Sequence, residues 1–175
     1  MRLFHVSEEP DIQLFEPRKH SRDDLDKEIK LVWAIDELRL PNFLTPRNCP
    51  RIAYHIGENT TSHDISKYFS SPTISHTLII ENKWFVLMKE TVLYLYEFDA
   101  SGFELQDPIA GYYVAYSPQK PIAKHKVDDL FAALFERNVE LRFVDNLWGI
   151  ADDIVTTTLN WSLCRMSFSQ PRLWY

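Results

Sequence analysis

The stretch VDDLFAALFERNVELRF, residues 127–143, decides the fold class, because its apolar spacing changes within it from helical to extended. Apolar side chains recur at i, i+3, i+4, i+7 and i+8, which predicts an amphipathic helix: Val127, Leu130, Phe131, Leu134 and Phe135. Residues 139–143 then alternate between apolar and polar, which predicts a strand. Alternation places Glu140 and Arg142 on the strand face opposite the core.

Outside this stretch, the chain combines several short apolar runs with few helical patterns. Strands are predicted at residues 3–6, 31–35, 51–56, 77–81, 91–98 and 112–116. Asp36 is predicted to cap a helix that ends near Pro41, and a short helix is predicted from Thr61 or Ser62 to Phe69. Residues 84–89 suit a helix or a strand, residues 20–30 an exposed segment, and the apolar tail from Trp161 a docked end. We expect one compact α+β domain over residues 1–175, with mixed, mostly antiparallel strands and several short helices.

Composition excludes several classes of protein. The N-terminus reaches acidic residues too soon for a secretory signal, and no apolar run approaches the roughly 20 residues that span a bilayer. The two cysteines form neither a metal motif nor a disulfide framework, which favours a cytoplasmic protein. A net charge of -6 argues against general nucleic-acid binding, and no glycine-rich phosphate loop is present.

Acidic residues are absent from two long segments of this acidic chain. Residues 38–57 and 154–175 contain no Asp or Glu, although each contains arginines. Guanidinium groups match carboxylates and phosphates through paired hydrogen bonds, so we expect a small anionic ligand. The loop that holds Arg47 and Arg51 is stiffened by proline and could clamp such an anion. Salt bridges to the protein's own carboxylates are the alternative for these two arginines.

Three other side chains are candidates for chemistry, each with a structural alternative. His5 ends an apolar strand, where one ring nitrogen could be fixed by the protein and the other could hold a ligand hydroxyl; a histidine satisfied in the core is the alternative. Glu140 could act as a general base or could form an exposed ion pair with Arg142. Cys49 could be a nucleophile only beside a base, so a buried inert thiol is expected. The histidines show no metal-binding spacing, so no metal site is expected.

The phrases LFHVSEEPDI, VWAIDE, LPNFL, PRNCPR, AGYYVAY, VELRF and NLW together resemble an uncharacterised bacterial family of unknown function. The resemblance covers nearly the whole chain. It implies a bacterial, cytosolic protein and no particular activity.

A second resemblance is carried by three positions. A histidine on the first strand, an aromatic residue on a later strand and a glutamate on a late strand are similar to NAD-dependent ADP-ribosyltransferases. That resemblance implies that His5 holds the NAD ribose, that Trp33 stacks on nicotinamide, and that Glu140 acts as the glycosidic bond breaks. The chain departs from those enzymes in having Trp33 in place of tyrosine and Asn138 two residues before the glutamate.

Two functional hypotheses follow. In the first, the protein is an ADP-ribosyltransferase-like NAD-binding domain with His5 and Glu140 as catalytic residues. Trp33, Arg47 and Arg51 would then bind the cofactor. In the alternative, it is a non-catalytic domain that binds a small anion or another protein. The sequence leaves the oligomeric state open.

Overall fold

The computed structural model describes residues 1–20 and 25–173. The predicted exposed segment at residues 20–30 therefore falls partly outside the described residues, and so does the predicted docking of Trp174 and Tyr175. The chain forms two compact units. The first unit comprises Met1–Phe43 and Val92–Val127, and the second comprises Leu44–Thr91 and Asp128–Tyr175.

The first unit is built on one twisted sheet. Its strands are β1 (Leu3–Ser7), β2 (Arg18–Lys19), β3 (Lys30–Asp36), β6 (Leu93–Phe98), β7 (Glu104–Asp107), β8 (Tyr112–Ala115) and β9 (Ala123–Val127). They run in the order β7-β8-β3-β1-β6-β9, and β2 pairs with β3. Short 3-10 helices lie at Leu40–Phe43 and Ala100–Gly102. One face of the sheet carries an aromatic-rich core: Leu3, Phe15, Val32, Ala34, Tyr96, Phe98, Phe103 and Ala115.

The second unit is a four-stranded sheet with helices. Its elements are β4 (Arg51–His55), α1 (Ser62–Tyr68), β5 (His76–Glu81), α2 (Phe85–Glu90), α3 (Leu130–Phe135), β10 (Glu140–Val144), α4 (Trp148–Ile154) and β11 (Asn160–Cys164), with 3-10 helices at Asn82–Trp84 and Met166–Phe168. The strand order is β10-β5-β4-β11, and only the pairing of β5 with β10 is parallel among the described strands. The core on one face is formed by Ile52, Tyr54, Tyr68, Phe69, Ile79, Leu147, Ala151, Ile154 and Leu159.

The α+β prediction is confirmed, with short helices and mostly antiparallel strands. The predicted helix from Val127 was too long. Val127 instead ends β9, where it pairs with Leu93, and α3 begins after Asp129, whose carboxylate accepts a hydrogen bond from the backbone N–H of Ala132. Leu134 is fully buried, whereas Phe135 is 60 % exposed.

Two further expectations about local structure were wrong. Asp36 does not start a helix; it ends β3, and its carboxylate caps a turn by accepting the backbone N–H of Arg39 at 2.8 Å. Glu140 and Arg142 do not face away from the core. The register of β10 on β5 places them on the same face as Tyr54, which belongs to the core. The alternating pattern did not identify the core face, because both faces of this sheet carry buried residues.

Candidate functional site

The two acid-free segments meet in the second unit, as adjacent strands. β4 belongs to the first segment and β11 to the second, and they pair antiparallel with Arg51 opposite Cys164. Arg165 follows Cys164 directly, so two arginines lie on neighbouring strand ends. This juxtaposition is the basis of the candidate site.

The loop before β4 is a tight turn that ends at the same strand end. The backbone N–H of Cys49 donates to the carbonyl oxygen of Pro46 at 3.1 Å, and Asn48 adopts a left-handed backbone with φ 64°. Asparagine tolerates this conformation well. Arg47 is exposed on the turn, while Arg51 is only 6 % exposed and donates from Nη1 to the carbonyl oxygen of Cys49 at 2.9 Å.

A buried carboxylate lies at this strand end as well. Glu81 ends β5 and is fully buried; its Oε1 accepts the backbone N–H of Gln170 at 2.8 Å. Lys83 Nζ lies 3.1 Å from Oε2, within ion-pair distance but not aligned as a hydrogen-bond donor to that oxygen. Lys83 also donates to the carbonyl oxygen of Phe168 at 3.2 Å. The lysine thus tethers the segment after β11 to the end of β5.

The pKa of the Cys49 thiol depends on burial and on the charges of Arg51, Lys83 and Glu81. Burial raises its pKa to about 12, Arg51 and Lys83 oppose that rise, and Glu81 adds to it. A thiol with such a pKa is protonated at neutral pH and is a poor nucleophile. The expectation that Cys49 is a buried, inert thiol fits this environment.

We call the basic residues at this strand end, namely Arg47, Arg51, Lys83 and Arg165, the basic edge. Two acidic residues among the described ones lie at the same strand end: the buried Glu81 and the exposed Asp145, which is the next residue after β10. Within the described part of the chain, four basic groups thus accompany two acidic groups, in a protein whose net charge is -6.

Arg165 has an unusual backbone for its residue type. Its φ of 56° is left-handed, and it caps the 3-10 helix Met166–Phe168. A left-handed conformation costs an ordinary L-residue roughly 1–2 kcal/mol, and glycine avoids that cost. Such strain is concentrated at functional sites. Arg172, the other arginine of this segment, is paired with Asp152 Oδ2 at 2.5 Å and lies over the Trp148 ring.

His5 and Trp33 both lie in the first unit and are linked by one hydrogen bond. The ladder between β1 and β3 ends at Phe4 opposite Ile35. Beyond that point His5 Nδ1 lies 3.0 Å from the carbonyl oxygen of Trp33, so Nδ1 carries the proton. Burial lowers the pKa of His5, partly offset by this hydrogen bond. The ring packs on Phe15 with centroids 4.8 Å apart.

The rings of His5 and Trp33 leave opposite faces of their sheet. Phe4 and Ile35 share one face because they are paired residues, and Trp33, two residues before Ile35, shares it too. His5, adjacent to Phe4, therefore points to the other face, where Phe15 and Tyr96 lie. The Trp33 ring instead contacts Tyr112, with centroids 5.4 Å apart. The structure does not bring these two side chains to one ligand-facing surface.

Glu140 lies in the second unit and is held by two neighbours. Its Oε2 accepts the backbone N–H and the hydroxyl of Ser70, at 3.1 and 2.5 Å, and its Oε1 accepts Arg142 Nε at 2.5 Å. Burial raises the pKa of Glu140, but the bonds from Ser70 and Arg142 together lower it further than burial raises it. Arg142 also donates to the carbonyl oxygen of Tyr68 at 2.6 Å. The carboxylate is thus ionised and neutralised by a fixed cation.

Of the five predicted site residues, Arg47 lies on the turn before β4 and Arg51 begins β4. His5 and Trp33 are joined through a backbone carbonyl, and Glu140 lies on its own network. Sequence reasoning missed Glu81 and Lys83. An acidic residue that ends an apolar run at residues 77–81 was the available signal. In the described part of the chain, no cluster of three or more His, Cys, Asp or Glu side chains forms a metal site.

The fold and the basic edge define an α+β protein with a positively charged strand end. The chain matches the family of unknown function DUF6886 over residues 4–169, and it therefore belongs to that family. No curated protein and no solved structure matches it. None of the helices within residues 1–20 and 25–173 has the length and apolar character needed to cross a bilayer.

Proposed function

We propose that this protein binds a small oxyanion, such as a phosphate or carboxylate group, at the basic edge. The observation that supports the proposal is the pairing of β4 with β11, which sets Arg51 opposite Cys164 and next to Arg165. Lys83 is anchored at the same strand end by its contacts with Glu81 and the Phe168 carbonyl. A local excess of positive charge on an acidic protein favours a specific anion over general binding to polyanions.

The members of the basic edge suit different parts of that task. Arg51 is buried and fixed by the Cys49 carbonyl, so it would supply a preorganised charge. Arg47 and Arg165 are exposed and could close on the ligand from the turn and from β11. Glu81 balances part of the positive charge of the basic edge, and this limits the cost of burying Arg51.

The contacts favour this alternative over ADP-ribosyl transfer. An NAD site built from the sequence candidates would need the His5 and Trp33 rings to face one cofactor, but they leave opposite faces of the sheet. Glu140 would need an open carboxylate, but Ser70 and Arg142 occupy both of its oxygens. The transferase hypothesis stays a prediction, and nicotinamide release from NAD is its direct test.

Two further assignments, the domain organisation and the cellular location, accompany the proposal. The single-domain assignment for residues 1–175 is supported by the continuous family match over 4–169 and by the interleaving of the two units along the chain. A cytoplasmic location is supported by the two free cysteines, since a reducing compartment preserves thiols.

Isothermal titration with inorganic phosphate tests the proposal. We expect saturable binding that weakens as salt is raised, because the contacts are ionic. Arg165→Gly should weaken binding about tenfold or more, since a charge-assisted hydrogen bond contributes about 1.5–3 kcal/mol. The same change should leave stability unaltered or raise it by up to about 1 kcal/mol, because glycine relieves the left-handed strain.

A matched control separates site binding from net charge. Lys120 is exposed and is not one of the four residues of the basic edge, so Lys120→Gln removes one positive charge while leaving the basic edge intact. Phosphate affinity should be unchanged in that variant, whereas Arg47→Gln should lower it. Equal losses in Lys120→Gln and Arg165→Gly, or no phosphate binding by the wild type, would contradict the proposal.

A further inference from the structure

The outer edge of β10 is an open sheet edge. β10 pairs with β5 on one side, and on its other side no described strand pairs with it. All five of its residues are partly exposed. An unpaired strand edge presents free N–H and C=O groups that can pair with another strand, and proteins usually protect such edges.

An exposed group of aromatic rings lies beside this edge. Phe143 of β10, Phe131 and Phe135 of α3, and Phe85 of α2 form a chain of ring contacts with centroids 5.4–6.5 Å apart. We call these four rings the aromatic surface. Phe85 and Phe135 remain 45 % and 60 % exposed, although they are among the largest apolar side chains. A contiguous exposed apolar patch of this kind marks an interaction surface.

The charges on β10 are complementary to a second β10. In an antiparallel pair of strands, residue i of one strand lies opposite residue j of the other, and the sum i + j is the same for every pair. With two-fold symmetry, the residue at half that sum lies opposite its own copy. A centre at Leu141 places Glu140 opposite Arg142 of the other copy, twice, and Phe143 opposite Val139. A centre at Arg142 would instead place two arginines against each other. Opposite charges directly across a pair are favourable and like charges unfavourable. Each Glu140 already pairs with Arg142 of its own chain, so the Leu141 register sets the two ion pairs side by side with alternating charges, whereas the Arg142 register sets like charges together.

We propose that a second copy of this chain docks on β10, forming a two-fold dimer with Leu141 at its centre. The two-fold axis of an antiparallel strand pair is perpendicular to the sheet, so α2 and α3 of both copies lie on the same face. The aromatic surface of one copy then adjoins that of the other across the new strand pair. Two four-stranded sheets become one continuous sheet of eight strands.

The size of the interface sets the expected affinity. Phe85 and Phe135, each about half exposed, would together remove about 400 Å² of aromatic surface from water in the dimer. Strand pairing and α2 must supply the rest of the roughly 1,200 Å² that marks the lower limit of stable interfaces. We therefore expect dissociation on the order of micromolar, observable by sedimentation as a concentration-dependent shift to twice the mass of one chain.

Charge reversal tests the register. In Arg142→Glu, Glu140 would face an introduced glutamate, and in Glu140→Arg, two arginines would face each other, so each variant alone should sediment as a monomer. An equimolar mixture of the two should restore the dimer, because every cross-strand pair is then opposite in charge. Recovery in the mixture also shows that the variants are folded. A mixture that remains monomeric would overturn the proposal.

Cysteine cross-linking tests the symmetry axis. Paired Cα atoms of antiparallel strands lie about 4.5–5.5 Å apart, within the range of a disulfide. Leu141→Cys should therefore form a cross-linked dimer on oxidation. Val144→Cys is the matched control on the same strand, since its two copies would lie about 20 Å apart in this register. The proposal is overturned by a wild-type monomer at about 100 μM, far above a micromolar dissociation constant, or by equal cross-linking at both positions.

Discussion

The acid sensitivity of the first unit should depend on Glu97 of β6, whose carboxylate contacts Arg2, the residue before β1, and His125 of β9. Glu97 on β6 accepts Arg2 Nε at 2.8 Å and Arg2 Nη2 at 2.9 Å, and His125 Nε2 of β9 lies 3.0 Å away. These partners lower the pKa of Glu97 from 4.5 to about 2, with the hydrogen bonds from Arg2 as the largest cause and burial opposing them.

The contribution of Glu97 to the free energy of unfolding can be bounded from this pKa shift. A difference of one pKa unit corresponds to about 1.4 kcal/mol, so the full shift corresponds to an upper bound of about 3.4 kcal/mol. Glu97 is 15 % exposed, but Arg2 is 46 % exposed, and solvent screens such a pair. We therefore expect Glu97→Gln to lower the free energy of unfolding at pH 7 by about 1–2 kcal/mol.

The contribution of Glu97 to stability should decrease as the pH falls, because its pKa is lower in the folded than in the unfolded protein. The stabilisation is fully present above pH 4.5 and is lost as the pH falls from 4.5 toward 2. Urea titrations of wild type and Glu97→Gln at pH 7, 5, 4 and 3 should give stability differences that shrink with falling pH. Glu28→Gln is the control, because Glu28 is 79 % exposed in its pair with Lys19. A difference that stays constant from pH 7 to pH 3 would refute the assignment.

Three further outcomes are expected. Leu134→Ala should lower the free energy of unfolding by about 2–5 kcal/mol in urea titrations, and Phe135→Ala by less than about 1 kcal/mol, because only Leu134 is fully buried; similar losses would contradict the α3 burial. A thiol reagent such as DTNB should modify the partly exposed Cys164 before the buried Cys49, and the reverse order would contradict the packing. Wild type incubated with NAD should release no nicotinamide, as followed by chromatography, whereas catalysed release would revive the transferase hypothesis.

The strands that the sequence predicts well are those made of continuous apolar residues. Residues 31–35 and 77–81 are strands of the structure because their side chains are buried, and burial leaves a local apolar signal. β9 was missed because it is an edge strand in which Lys124, His125 and Lys126 are all exposed. Its pairing with β6 is a long-range contact that periodicity cannot show.

The same long-range pairing explains the error in the helix. Val127 fits the helical spacing of α3, but its backbone pairs with Leu93 on β6, and this tertiary contact overrides the local pattern. Phe131 and Phe135 fit the stripe too, yet they form part of the aromatic surface rather than the core. Apolar spacing thus indicated a helix but not which of its residues would be buried.

Only part of the candidate site could be predicted from the sequence. The absence of acidic residues from both segments indicated that they could share a function, because that feature is readable residue by residue. The register that sets Arg51 opposite Cys164 was not readable, since it joins positions far apart in the chain. Glu81 and Lys83 were missed for the same reason: their importance comes from the end of β5 that they occupy.

A crystal structure determined with selenate would test directly whether the basic edge binds an oxyanion, because selenium gives an anomalous signal that identifies the bound ion. We expect an anomalous peak within hydrogen-bond distance of Arg51 or Arg165 at the ends of β4 and β11. The peak should be absent from crystals of Arg165→Gly grown in the same solution. Selenate bound elsewhere with none at the basic edge, or a peak that persists unchanged in Arg165→Gly, would contradict the proposed anion site.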